Sequence, residues 1–125
     1  MSVVRAAEAP TFNLPGIRFV GLTAPSRGAS EICTWHLHVE PHTPGGEPHW
    51  LDHEEVFILL EGTLRVMVDD ELVSLAAGDA LAVPANAHLH VSNPEDAPAH
   101  ALVCVPAGFQ AFTQKEQLGT PPWAQ

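Results

Sequence analysis

With 125 residues the chain is long enough for one domain with a single core. Hydrophobic residues make up 46% and charged residues 16%, which excludes a disordered chain. Five basic against fifteen acidic side chains leave a net charge of -10, and a surface that acidic repels phosphate backbones and anionic lipids, so neither nucleic acid nor a membrane surface is expected as a partner.

Residues 1–10 hold one Arg and no long apolar run, so they do not read as a secretory signal. Residues 1–30 read as an arm that contributes an edge strand, with strand character over 17–22. The next run, 32–39, alternates with period two. Cys33, Trp35, Leu37 and Val39 share one face, and His36 and His38 take the other. Two His at i and i+2 on a strand can hold a metal, but the sequence places no third ligand beside them. They read as a surface or interface pair. His42 and His100 read as residues in or near loops.

Further strand runs follow at 56–60, 64–68, 72–75, 80–83, 89–92 and 101–105. Turn chemistry separates them: Glu61-Gly62, Asp69-Asp70-Glu71, Gly78-Asp79 and Asn93-Pro94-Glu95-Asp96. The longest unbroken aliphatic and aromatic run, 56–60, is too short to span a bilayer. No segment carries a helical repeat over eleven residues, and the best helical candidate is a short turn near 114–117. Residues 107–125 read as a tail whose Pro-rich end is extended. Its Trp123 reads as a hydrophobic plug or as the cover of a ligand pocket. Many short strands imply an antiparallel sandwich or barrel, with a jelly roll as the natural closed form. Cys33 and Cys104, the only cysteines, are expected as reduced thiols in a cytoplasmic protein.

The most informative stretch is 45–62, Gly-Gly-Glu-Pro-His-Trp-Leu-Asp-His-Glu-Glu-Val-Phe-Ile-Leu-Leu-Glu-Gly. His49, Glu55 and Gly62 stand at the spacing of the first cupin motif. Gly78, Pro84 and Asn93 stand at the spacing of the second, with Asn86 where that motif has a glycine. The chain therefore resembles the cupins over about residues 31–106. The resemblance implies an all-β fold, an antiparallel jelly-roll β-barrel. It would form a single domain over 1–125, with 1–30 as N-terminal arm and edge strand, 31–106 as barrel core and 107–125 as tail. Small cupins of this kind are often homodimers, so a homodimer paired near Phe12 to Val20 is expected.

In that family imidazoles and one carboxylate project into the barrel and hold a metal. The four ligand positions fall here on His49, Leu51, Glu55 and Leu89. Leucine offers no lone pair, and His49 with Glu55 alone would hold a divalent ion poorly. His53 shares the strand parity of His49, but four extended residues span about 13 Å. His88 and His90 flank Leu89 and point outward unless a bulge near Asn86-Ala87 turns one inward. The cofactor expectation is thus either none or one divalent transition metal (Fe, Mn, Ni or Zn) on His49 and Glu55 with His53 or His90.

Without a metal, the barrel interior becomes a pocket for a small, largely apolar molecule. Its walls would be Leu51, Phe57, Leu59, Leu89 and Val91, with His53 at the mouth and His49 and Glu55 as the polar pair. Three functions follow: a binding module; a metal-dependent dioxygenase or isomerase; and a metal-free acid–base isomerase or epimerase with His49 and Glu55 as catalytic groups.

Overall fold

Prolines and glycines interrupt the chain so often that no strand exceeds eight residues. The computed structural model describes residues 1–125 and places them in twelve strands. These are β1 (Thr11–Leu14), β2 (Ile17–Gly21), β3 (Ile32–Val39), β4 (His49–Leu51), β5 (Glu55–Glu61) and β6 (Thr63–Val68). They continue with β7 (Glu71–Ala76), β8 (Ala80–Val83), β9 (Leu89–Ser92), β10 (Ala99–Pro106), β11 (Ala111–Thr113) and β12 (Gln117–Gly119). Two six-stranded antiparallel sheets result, ordered β1-β2-β3-β10-β5-β8 and β12-β11-β4-β9-β6-β7. The fold is an all-β jelly roll.

Alternation decides which side of each strand meets the other sheet. Cys33, Trp35, Leu37 and Val39 of β3 are buried, as are Ala99, Ala101, Val103 and Val105 of β10. The two strands run in register, with Val103 opposite Trp35 and Ala101 opposite Leu37. Leu59, Leu64, Val66, Leu89 and Phe109 complete a core with almost no exposed surface.

The turns set the register. Asp69 and Asp70 adopt φ of 46° and 67° and close a two-residue hairpin between β6 and β7. Gly62 has φ +78°, and a Cβ there would lie 2.3 Å from the Pro98 carbonyl oxygen, so only glycine fits. Asn86 takes φ +68°, and its N–H donates to the Leu51 carbonyl at 2.7 Å, tying the 84–87 turn to β4. Asn93 is fully buried: its amide donates to the Ala97 carbonyl at 2.9 Å and accepts from Glu95 N–H at 3.1 Å.

Several expectations change. Residues 114–117 are not helical. Thr113 Oγ1 accepts from the N–H groups of Lys115 and Glu116, which turns the chain between β11 and β12 instead. The tail is not wholly extended, since Pro122–Ala124 forms a 3₁₀ turn with proline in the first helical position. β11 of that tail also pairs with β4. In the arm, β1 pairs with β2 as an intramolecular hairpin, leaving β1 at the sheet edge. His100 lies within β10 rather than in a loop. Cys33 and Cys104 sit on adjacent strands one register position apart, and Cys33 faces inward while Cys104 faces outward. Both are free thiols, and burial pushes both above the ordinary thiol range. No helix is long and apolar enough to cross a membrane.

Candidate functional site

Between the sheets lies a cavity of about 340 Å³, within the usual size range of small-molecule sites. Its walls are mostly apolar. They include Trp35, Leu51, Phe57, Leu89, Val91, Val103 and Phe109. The polar groups among them are few: Glu47, His49 from β4, Glu55 from the start of β5, His90 from β9, Thr113 from β11 and the Trp123 indole from the tail. Leu14 and Leu118, each about half exposed, stand among the lining residues and carry the wall out toward solvent.

Three buried side-chain polar atoms in the molecule lack a hydrogen-bond partner: Glu55 Oε1, His90 Nδ1 and Trp123 Nε1. All three belong to residues lining this cavity. Leaving a buried polar group unpaired costs about 1–3 kcal/mol, so three of them at one site call for a partner.

The electrostatics follow from the same burial. Glu55 is 6% exposed, and burial pushes its carboxyl up to about 8. Burial, and after it the neighbouring His90, pulls His49 down to about 4. At neutral pH Glu55 is therefore a carboxylic acid and His49 a neutral imidazole. A proton donor and a proton acceptor share one apolar chamber.

The structure gathers most of the expected pocket residues and leaves some outside. His49, Leu51, Glu55, Phe57, Leu89 and Val91 line the cavity. Leu59 belongs to the solid core instead. His53 is turned away in the β4–β5 connection, where Nδ1 meets Asp52 at 2.7 Å and Asp52 in turn accepts from Gln110 N–H at 2.8 Å. His88 lies outside, stacked on Trp50 with ring centroids 4.2 Å apart.

His90, expected to point outward, reaches the cavity. The cause is Gly45. β4 pairs with β9 only at His49 and Leu89, and beyond that point the irregular segment 43–48 runs alongside, bridged at Thr43 and Asn93. A Cβ on Gly45 would sit 2.2 Å from His90 Nδ1. The missing side chain is the seat of the ring.

Trp123 covers the chamber. Its ring stacks on Phe19 at 3.7 Å and meets Trp35 edge-on at 6.4 Å. Its carbonyl accepts from Arg27 Nη2 at 2.7 Å. Gly21 leaves the space for this anchor, because a Cβ there would lie 2.6 Å from Arg27 Nη2.

The family's usual metal does not fit the barrel residues. Leu51 and Leu89, both buried, occupy two of the four ligand positions. His49, Glu55 and His90 do not bring three donor atoms within 4.8 Å of one another, and His53 lies elsewhere. One group in the chain does meet that distance: His36, His38 and His100, on the opposite side of the sheet. Their nitrogens are close enough to share a metal ion. Sequence reasoning missed this trio because His100 is remote in the chain and joins the others only through β3–β10 pairing.

Solved structures share the fold. The polyketide cyclase RemF from Streptomyces resistomycificus superposes with a TM-score of 0.74 at 18% identity, covering 85% of this chain and 79% of that one. A sugar phosphate isomerase of the cupin superfamily from Silicibacter pomeroyi gives 0.69 at 23% identity, covering 82% and 68%. An RmlC-like cupin from Shewanella frigidimarina gives 0.70 at 18% identity, covering 83% and 88%. At these identities the likeness is one of fold. A sequence comparison with curated proteins finds no match. The model of the cupin domain family matches residues 35–105, from the buried Trp35 of β3 to Val105 of β10, and takes in both motifs and every residue at the family's metal positions. With the two-sheet barrel, that match makes the chain a member of the cupin domain family.

Proposed function

We propose that the barrel binds a small, largely apolar molecule carrying a few polar atoms, and holds it without a barrel metal. The observation that carries this reading is that the three residues with an unpaired buried polar atom, Glu55, His90 and Trp123, all line one cavity. A ligand with two or three suitably spaced donors and acceptors would satisfy them, and its apolar body would fill the space between Leu51, Phe57 and Leu89. Native mass spectrometry of the freshly purified chain, followed by solvent extraction, tests this. A stoichiometric extra mass, lost in a Leu89→Trp variant that fills the cavity, is expected. A bare 13.4 kDa chain that gains no thermal stability from any of a broad panel of small amphipathic molecules would overturn it.

A second reading has its own support. A protonated Glu55 facing a neutral His49 is the arrangement needed to move a proton next to a carbonyl, as in an isomerase. Turnover of the captured ligand, lost in both Glu55→Gln and His49→Ala, separates an enzyme from a binding module. We also propose a homodimer, supported by the free edge of β1. A sedimentation mass equal to one chain would sink it.

A further inference from the structure

We propose that His36, His38 and His100 form a metal site on the outer face of the first sheet, distinct from the barrel, that takes a divalent transition metal of the imidazole-binding kind, Zn²⁺ foremost. The site stands independently of the barrel's function.

The placement follows from parity and register. On β3, His36 and His38 point to the face opposite Trp35 and Leu37, which line the cavity. A full sheet thickness therefore separates this site from Glu55. On β10, His100 lies directly opposite His38, and Leu102 lies opposite His36. Two imidazoles two residues apart on one strand and a third across from them make a triangle, with candidate donor atoms all within 4.8 Å. His36 Nδ1 and His100 Nε2 share a hydrogen bond at 2.7 Å, which a bound metal would replace, and the His38 and His100 rings stack at 4.2 Å. All three side chains are half-buried, so the site is walled yet open to an ion.

The donor set suits a transition metal. Metal ligation needs unprotonated rings. Three imidazole nitrogens with one open position are the donor set of an open Zn²⁺ centre, the fourth place being left for water. The charged groups bordering the site are Arg18 on β2, opposite His38, and Glu61 on β5, opposite His100. Arg18 opposes the ion, and removing its charge should strengthen binding.

The test uses the full untagged chain, stripped by chelator and titrated with Zn²⁺ by calorimetry and with Co²⁺ by visible absorption. We expect one equivalent at pH 7.5, weakening as pH falls and protons compete for the rings. His36→Ala and His100→Ala should each lose about 100-fold or more in affinity, since even groups behind a ligand account for up to that much. His100→Gln, with the same circular dichroism as wild type, guards against simple misfolding. Arg18→Gln should bind more tightly, and His49→Ala should bind like wild type. Absence of binding to the wild-type chain would overturn the proposal. So would binding that survives in the folded His100→Gln and His100→Ala variants but is lost in His49→Ala, because the ion would then lie in the barrel.

Discussion

Replacing Glu55 by Gln should remove a pH-dependent burden on stability. In the fold the Glu55 carboxyl titrates near 8 rather than 4.5, because burial disfavours its charge. Between those values the unfolded chain has released this proton and the folded chain still holds it. Stability must then fall as pH rises, by about 1.4 kcal/mol per pH unit. At pH 7, 2.5 units above 4.5, the burden amounts to about 3 kcal/mol. His49 works in the opposite direction at lower pH. Its folded value near 4 makes stability rise from pH 4 to its ordinary 6.5, and the depressed His38 acts likewise. The wild-type curve should therefore turn over near pH 6.5 and decline toward pH 8. Subtracting the Glu55→Gln curve cancels the histidines and isolates the carboxyl. Urea denaturation of both proteins at pH 5, 6, 7 and 8, at constant m, gives the difference directly. A difference growing toward high pH, with Gln the more stable by a few kcal/mol at pH 7, is expected. A difference that stays flat across that range would show Glu55 to be ionised and paired, and would refute the neutral-acid reading of the cavity.

Other outcomes follow from particular contacts. Asn93→Ala removes the amide that joins Ala97 and Glu95 inside the core, and leaves buried backbone groups unpaired. It should lower stability by about 2–4 kcal/mol in urea titrations, with no change in metal binding. Trp123→Ala removes the Phe19 stack and uncovers the cavity. It should destabilise by about 2–3 kcal/mol and increase the fluorescence of a bound apolar dye. Unchanged dye fluorescence would mean that Trp123 does not close the chamber. Returning ligands to the family positions with the double variant Leu51→His and Leu89→His should add one equivalent of tightly held transition metal beside His49 and Glu55. Failure of the folded double variant to gain metal would mean that Leu51 and Leu89 do not point where the motif alignment puts them.

How much of this was legible beforehand varies by residue, and the reason is range. The eight runs with strand character, the Asp69-Asp70 hairpin and the glycine-like Asn86 are local features. Period-two alternation and left-handed turn preferences act over a few residues, so composition and order alone reveal them. The two cupin motifs extend that reach, because their spacing encodes turns between strands that the barrel must contain. On that basis the jelly roll and the candidate pair His49 and Glu55 were readable, as was the loss of ligands at Leu51 and Leu89.

What required the tertiary structure is what depends on partners far apart in the chain. His90 turns inward because Gly45 lends it space, and that contact spans strands that share only one register pair. His53 leaves the pocket because Asp52 and the Gln110 backbone hold it. Residues 114–117 form a turn rather than a helix because Thr113 caps the chain reversal and β11 finds a place beside β4. His100 joins His36 and His38 only because β10 lies next to β3. The sequence by itself determined alternation, turns and therefore the fold. The tertiary structure decided which histidines meet and which carboxyl stays protonated, because proximity and desolvation are set by packing between segments that no local pattern records.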